Sequence, residues 1–160
     1  MMMTAADDER FMRIAIEASR AALREGNSPY GAVLVSAAGE LLYVAKNNQV
    51  TSGDCTGHAE TALIREVCAA MGVARLAGAT VYASGEPCAM CAGALFWAKV
   101  ARVVFGAGNA AIARVGGGAT LSLHTAQVLA SGSYPIEVAG PVLEEEAVAV
   151  LKEKAQQAGR

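Results

Sequence analysis

The sequence lacks the features that mark membrane-spanning and secreted proteins. Its 160 residues contain no apolar run near the length that a membrane-spanning helix needs. The first residues, MMMTAADDERF, place acidic side chains where a secretory signal peptide has a basic segment and then an apolar one. We therefore expect a protein of a reducing, cytoplasmic compartment with no membrane partner.

Charge is also scarce, at 18% of residues, and the formal net charge is −2. This balance argues against binding that depends on nucleic-acid phosphates, although a local basic patch would be compatible with it. The hydrophobic share of 54% is typical of a globular chain. We find no repeat, linker or second domain, so residues 1–160 are expected to form one domain.

Hydrophobic periodicity predicts alternating helices and strands. Helical spacing covers residues 8–25, 58–71 and 87–98 and resumes at Glu144. Strands are predicted at GAVLVS, LLYVA, ATVYAS, ARVVFGA and PIEVAG. Residues 46–57 have the composition of a polar loop, and residues 108–133 that of a glycine-punctuated loop with room for one short helical turn. This order predicts a central mixed sheet with helices on both faces.

The chain has only two histidines and four cysteines, yet three of these residues have the spacing of a metal site. Cys88 and Cys91 are three positions apart at a predicted helix start, so both thiols share one face and the helix N-terminus favours thiolate. His58 opens another predicted helix, whereas His124 lies in the glycine-rich loop. Two thiolates and an imidazole supply three ligands of a tetrahedral zinc ion and leave the fourth position for water.

A carboxylate two residues from the histidine ligand indicates catalysis. Glu60 could take a proton from metal-bound water and deliver it to a departing amine. The alternative is a closed structural zinc site with Cys55 as the fourth ligand, which would leave Glu60 without a function. The pattern H-x-E…P-C-x-x-C is the signature of zinc deaminases.

The motif blocks SPYGAVLV, NNQVTSGDCTGHAE and SGEPCAMCAGALFWAKVARVVFGA resemble the cytidine deaminase-like superfamily. They are most similar to the branch of tRNA adenosine deaminases, guanine deaminases and fungal-type cytosine deaminases. The resemblance implies an α/β fold, a three-layer α-β-α sandwich around a five-stranded mixed sheet. It also implies Zn²⁺ as cofactor, bound by His58, Cys88 and Cys91, with Glu60 as the catalytic proton shuttle.

The resemblance implies further residues that bind substrate. Asn47, eleven residues before His58, aligns with the family asparagine that hydrogen-bonds the substrate ring. Ala59 would offer its backbone N–H to the ring, and Tyr30 and Trp97 fall where the family often has pocket-wall aromatics. The alternatives are a loop-shaping role for Asn47 and ordinary packing for the two aromatic residues.

Several features bear on the substrate. Guanine deaminases of this branch use a second carboxylate after the fourth strand, but no Asp or Glu occurs between Ala107 and Ser133, and the guanine-type C-terminal segment is missing. GALFWAKVARVVF nevertheless resembles the guanine group. Relatives that edit tRNA hold the RNA with basic side chains on the last helix, whereas here that helix, LEEEAVAVLKEKAQQAGR, begins with acidic residues.

We therefore expect a zinc-dependent hydrolytic deaminase that removes the exocyclic amine of a small nucleobase, nucleoside or related amino-heterocycle with a guanine-like or cytosine-like ring. A tRNA-specific adenosine deaminase is the alternative. A non-catalytic subunit would be indicated by a lost glutamate or metal ligand, and both motifs are intact. The resemblance implies a homodimer. Arg114 and His124 are expected at the surface and not on the substrate.

Overall fold

The computed structural model describes residues 2–116 and 118–158 of the chain. The strands are β1 (Gly31–Val35), β2 (Leu41–Lys46), β3 (Thr80–Gly85), β4 (Arg102–Ala107) and β5 (Glu137–Ala139). The α-helices are α1 (Ala5–Arg24), α2 (Gln49–Ser52), α3 (Ala59–Ala70), α4 (Ala89–Trp97), α5 (Asn109–Val115), α6 (Thr125–Ala130) and α7 (Glu144–Ala158), and a single 3₁₀ turn covers Val73–Arg75. None of the helices within these ranges has both the length and the apolar character to cross a membrane.

The five strands form one mixed sheet in the order β2-β1-β3-β4-β5. Strand β1 is antiparallel to β2 and β3, while β3, β4 and β5 run parallel to one another. Gly85 pairs with Ala107, so the carboxyl ends of β3 and β4 lie together. This carboxyl edge of the parallel strands carries the candidate site.

Helices cover both faces of the sheet, as the sequence predicts. One core joins β1, β3 and β4 to α3, α4 and α6, and a second core joins the other sheet face to α1 and α7, with α5 packed against it. Every residue of β1 and β3 is buried, which is why these segments are nearly continuous apolar runs. The predicted three-layer sandwich is confirmed.

A close contact between α1 and β1 fixes one of these layers. A Cβ atom added at Gly31 would lie 2.2 Å from the backbone oxygen of Ala15, so only glycine lets the helix approach the strand this closely. The helix itself begins with a capping box in which Thr4 and Asp7 each bind the other's backbone N–H.

The sequence prediction is wrong in the two segments taken as loops. Residues 46–57 contain α2, and residues 108–133 contain α5 and α6, between which residues 116 and 118–124 are irregular. Ile112 and Val115 of α5 and Leu129 of α6 pack against the two cores. Helices of six or seven residues depend on such packing, because they are too short to be stable alone or to show a clear period.

At the opposite, amino edge of the parallel strands, charged side chains form a dense network. The guanidinium of Arg102 donates to both carboxylate oxygens of Asp8, at 2.7 and 2.8 Å. The hydroxyl of Tyr82 donates to Asp8 at 2.6 Å, and the Nε atom of Arg102 lies 3.3 Å from a carboxylate oxygen of Glu137. The hydrogen bonds from Arg102 hold the pKa of Asp8 below its ordinary value.

Candidate zinc and active site

The two sequence motifs meet at the N-termini of α3 and α4. His58 is the N-cap residue of α3, Cys88 is that of α4, and Cys91 lies in the first turn of α4. The Nδ1 atom of His58 lies 3.5 Å from each of the two sulfur atoms. The three candidate ligand atoms all lie within 4.8 Å of one another, although His58 and Cys91 are 33 residues apart in sequence.

This donor set fits a zinc ion. With Zn–N and Zn–S bonds of about 2.1 and about 2.3 Å, tetrahedral geometry places nitrogen and sulfur about 3.6 Å apart, close to what is observed here. Cys55 is exposed and is not in the cluster, which speaks against the closed site with Cys55 as fourth ligand. Within residues 2–116 and 118–158 the cluster therefore supplies three ligands, which is the set of a catalytic zinc with one position left for water.

Hydrogen bonds within the cluster shift the pKa values of its three candidate ligands. The hydrogen bond from Cys91 lowers the pKa of Cys88, which favours the thiolate form that binds a metal ion. The same hydrogen bond, together with burial, raises the pKa of Cys91, and the hydrogen bond with Cys88 raises the pKa of His58. Metal binding must therefore displace the remaining protons. The hydroxyl of Thr61, 3.3 Å from the sulfur of Cys91, orients that ligand.

Glu60 lies in the first turn of α3 and is only 4% exposed. Burial raises the pKa of this carboxyl group to about 6. No Lys, Arg or His forms an ion pair with it in the part of the chain that the structure describes. A buried carboxyl group with no ion-pair partner, beside a metal cluster, can take up a proton and release it again.

Asn47 is buried, and its side chain binds Gln49. Its Oδ1 atom accepts a hydrogen bond from the backbone N–H of Gln49 at 3.1 Å, and its Nδ2 atom donates to Oε1 of Gln49 at 2.9 Å. Asn47 thus shapes its loop. The amide group has two N–H hydrogens, so one remains for another acceptor.

A second buried asparagine, which the sequence analysis did not single out, anchors the same loop. The Oδ1 atom of Asn27 accepts from the backbone N–H groups of Val50 and Thr51, at 3.0 and 3.1 Å. Asn27 thereby holds α2, which follows Asn47 directly. An asparagine before Ser-Pro signals only a turn, so the sequence holds no sign of this long-range contact.

The other expected substrate residues fall in two places. Ala59 is the first residue of α3, where a helix leaves its backbone N–H free. Burial, with a contribution from the charge of Glu60, raises the pKa of Tyr30 to about 12. Trp97 lies at the other end of α4 from Cys88, about 13 Å along the helix axis, and is 78% exposed. Within one chain it does not reach the cluster.

The end of β3 is enclosed from two sides. A Cβ atom at Gly85 would lie 2.6 Å from the ring of Tyr30 and 3.3 Å from Cδ1 of Ile112. These two side chains therefore close over the glycine, one from the segment before β1 and one from α5. Tyr30 lies close enough to Glu60 for the charge of Glu60 to raise its pKa, and Ile112 is a neighbour that sequence reasoning missed.

Glu86, immediately before the Pro-Cys-x-x-Cys motif, also escaped the sequence analysis. Its side chain is 4% exposed and lies 3.0 Å from Nδ1 of His124. His124 and Arg114 lie at the surface, as expected, although His124 contacts this buried carboxylate. The sequence signal that could have identified Glu86 is a charged residue two positions before a metal ligand, at the end of an otherwise apolar strand.

Surface grooves do not mark this site. One groove of about 960 Å³ lies between α5 and α7, and another of about 520 Å³ lies beside β5. His58, Glu60 and Cys88 line neither groove. The ligand cluster and the buried carboxyl group locate the site.

Comparison with known proteins agrees with the cluster. Residues 5–107 match the family described as the cytidine and deoxycytidylate deaminase zinc-binding region. The chain belongs to this family. It is a zinc-dependent hydrolytic deaminase, and the predicted cofactor, Zn²⁺, is confirmed by the family match together with the cluster of His58, Cys88 and Cys91.

Several deaminases with different substrates are similar to this one. A probable cytosine deaminase of Schizosaccharomyces pombe is 36% identical over 145 residues, which cover 88% of each chain. A tRNA-specific adenosine deaminase of Bacillus subtilis is 40% identical over 144 residues, or 90% of this chain and 86% of the relative. The X-ray structure of guanine deaminase from Bacillus subtilis matches with a TM-score of 0.61 and 36% identity, covering 68% of this chain and 69% of that one.

Proposed function

We propose that this deaminase removes the exocyclic amine of a small nucleobase, nucleoside or related amino-heterocycle, with a guanine-like or cytosine-like ring, and that Glu60 is its catalytic residue. The observation that carries the proposal is the buried Glu60 carboxyl group beside a three-donor cluster. A structural zinc site would need four protein ligands and no such carboxyl group.

The reaction needs one proton to move twice. A zinc ion held by His58, Cys88 and Cys91 would acidify a bound water. Glu60 accepts a proton from this water as its oxygen bonds to the ring carbon that bears the amine. Glu60 then donates that proton to the amine nitrogen, the C–N bond breaks, and ammonia leaves.

Three groups suit an amino-heterocycle: Ala59 precedes Glu60, Tyr30 lies within reach of its charge, and Asn47 donates its backbone N–H to the carbonyl of Tyr30. The unused N–H of Asn47 and the free backbone N–H of Ala59 can each donate to a ring nitrogen or carbonyl. The ring of Tyr30 provides an apolar wall, and its hydroxyl stays protonated because its pKa is raised to about 12. Such a site recognises a flat, neutral ring.

Charge near the site favours a small substrate over RNA. Arg65 is paired with Asp54 at 2.7 Å and Lys46 with Glu25 at 2.6 Å, so both cations close to the Asn47 loop and α3 are neutralised. Helix α7 opens with three glutamates. RNA binding would need free positive charge along the phosphate path. The 40% identity to a tRNA-specific adenosine deaminase keeps tRNA as the second candidate.

We also propose a cytoplasmic homodimer. Helix α4 has no charged residue, and Met90, Gly93, Ala94 and Trp97 lie on one partly exposed stripe along it. Packing this stripe against a second copy would bury Trp97 and place it near the partner's pocket, where an aromatic wall was expected. Reduced thiols, which the ligand set requires, are the normal state in the cytoplasm.

Ammonia release by the zinc-loaded protein tests the function. The panel is guanine, cytosine, isocytosine, adenine, their nucleosides, and an adenosine-bearing anticodon stem-loop. Glu60→Ala serves as the blank, and Glu66→Ala, an exposed glutamate on the same helix, serves as the matched control. We expect release from a small ring in the wild type and the control only. Release from the stem-loop alone would replace the proposal by RNA editing.

A further inference from the structure

Residues 109–125 begin and end at a single buried carboxylate, that of Glu86. In the part that the structure describes, this segment consists of α5, the exposed residues 116 and 118–124, and the start of α6. Its first backbone N–H, that of Asn109, donates to Oε1 of Glu86 at 2.9 Å, and its last, that of Thr125, donates to Oε2 of the same side chain at 3.1 Å. Both ends of the segment are thus tied to one residue.

Further hydrogen bonds strengthen the contact between the segment and Glu86, which we call the junction. The Nδ1 atom of His124 lies 3.0 Å from Oε2 of Glu86, and the hydroxyl of the fully buried Thr125 donates to the carbonyl of Pro87 at 2.7 Å. Asn109 also donates from its side chain to the carbonyl of Leu123 at 3.4 Å. Glu86 and Pro87 lead directly into the zinc ligand Cys88, so the segment is tied to the metal-binding turn itself.

The junction requires a carboxylate and not merely a side chain of that shape. Both oxygen atoms of Glu86 accept hydrogen bonds from backbone N–H groups, and the side chain is 4% exposed, so water does not replace a lost acceptor. A glutamine of the same size would place an NH₂ group against one of these N–H donors. The mismatch leaves a buried donor without a partner.

The segment held in this way forms a wall of the candidate pocket. Ile112 of α5 and the ring of Tyr30 both lie against Gly85, and Tyr30 is close enough to Glu60 for the charge of Glu60 to raise its pKa. A displacement of α5 would therefore alter the space beside Tyr30. The zinc ligands, on α3 and α4, would stay in place.

We propose that Glu86 is a positioning residue, which fixes the 109–125 segment to the zinc-binding turn and so sets the wall that a substrate ring meets. The attachment of residues 109–125 to Glu86 does not depend on the proposed function. Only its effect on KM rests on the proposed function.

Hydrogen–deuterium exchange of the zinc-loaded full chain, with zinc content and steady-state kinetics beside it, tests this role. In Glu86→Gln we expect amide exchange to rise about tenfold in residues 109–128 and to stay unchanged in α1 and β1. Zinc should remain at one ion per chain. KM for the small-ring substrate should rise about tenfold, with kcat within about threefold of wild type, because the wall is loosened and the chemistry is not.

Two milder variants protect the test against a misfolded Glu86→Gln. Thr125→Val removes one buried hydroxyl hydrogen bond, and His124→Ala removes one exposed donor. Each should raise exchange in the same residues by a smaller factor. Glu145→Gln, an exposed residue of α7, is the matched control and should behave as wild type.

The outcomes separate the two proposals. Unchanged exchange in residues 109–128, or a rise spread equally over the whole sheet, would overturn the positioning role. Faster local exchange in a protein that deaminates no small ring would support the tie and remove the proposed substrate instead. A lower kcat at unchanged KM would also count against Glu86 as a wall-positioning residue.

Discussion

The two ends of the parallel strands each hold a buried carboxyl group, and their pKa values are shifted in opposite directions. At the amino edge, hydrogen bonds from Arg102 lower the pKa of Asp8. At the carboxyl edge, burial raises the pKa of Glu60 to about 6. The hydrogen bonds from Arg102 outweigh the cost of burying Asp8, whereas burial dominates at Glu60.

Asp8 and Glu60 differ in whether other side chains already bind their carboxyl oxygens. Arg102 and Tyr82 satisfy both oxygens of Asp8, which leaves that carboxylate nothing further to bind. Glu60 forms no ion pair with Lys or Arg in the described residues, and the charge of the nearby His58 does not offset the effect of burial on its pKa. We therefore expect substitutions at Asp8 to act on stability alone and substitutions at Glu60 to act on turnover alone.

The largest effect is expected from Glu60→Gln. Turnover should fall at least about a thousandfold, because no other group moves the proton. Zinc content should not change, and the free energy of unfolding should stay the same or rise, because a neutral amide is cheaper to bury than a carboxylate. Ammonia release, metal analysis and urea unfolding measure the three quantities. Turnover within tenfold of wild type would remove Glu60 from the chemistry.

Cys88→Ala should abolish stoichiometric zinc binding, since two protein ligands hold the ion far more weakly than three. Stability should fall with the metal, because the folded state alone binds it. Metal analysis after dialysis against a chelator, combined with thermal unfolding, checks both effects. Cys68→Ala, which alters an exposed thiol on α3, is the control and should retain zinc. A folded variant that keeps one zinc ion would contradict the ligand set.

Asp8→Asn should lower the free energy of unfolding by about 2–3 kcal/mol, because the partly buried Arg102 loses its main partner. Zinc content and kcat at 25 °C should remain those of wild type. Urea unfolding and the ammonia assay measure the pair of effects. A drop in kcat without a drop in stability would reverse the distinction between the two edges.

The smallest effect concerns pH. The folded-state pKa of Asp8 lies below the unfolded value of about 3.9. Its contribution to stability is therefore complete above that value and is lost as the pH falls through the folded pKa. Tyr82, Arg102 and Glu137 surround position 8, and all three are present both in wild type and in Asp8→Asn. Between about pH 5 and pH 2, wild type should lose more unfolding free energy than Asp8→Asn, as measured by urea titration. Parallel pH curves would count against this prediction.

The sequence was most informative where chemistry restricts the residue type. Zinc accepts few ligands, so the spacing of His58, Cys88 and Cys91 predicted the cluster, and Glu60 followed from the proton that the reaction must move. The central strands could be predicted because burial on both faces makes them continuously apolar. The five strands and the helices on both faces followed from the periodicity, and the family resemblance implied the same fold.

The remainder depends on contacts between distant segments. Helices α5 and α6 are stabilised by packing that no local period reveals. Asn27 and Glu86 accept hydrogen bonds from backbone N–H groups 24 and 39 residues away, respectively. Any residue except proline offers such a donor, so the sequence contains no specific partner residue to find. Trp97 was expected at the pocket by resemblance, and its exposed place on α4 leaves that role to the proposed dimer.

The metal cluster also has a consequence for chain entropy. Ligation joins His58 to Cys88 across 30 residues, and this loop contains α3 and β3, the central strand of the sheet. By analogy with a disulfide, a cross-link that closes a loop of this length removes about 3–4 kcal/mol of conformational freedom from the unfolded chain. Zinc binding should therefore also stabilise the centre of the fold against unfolding. In the zinc-free protein, unfolding should begin with the separation of α3 from α4.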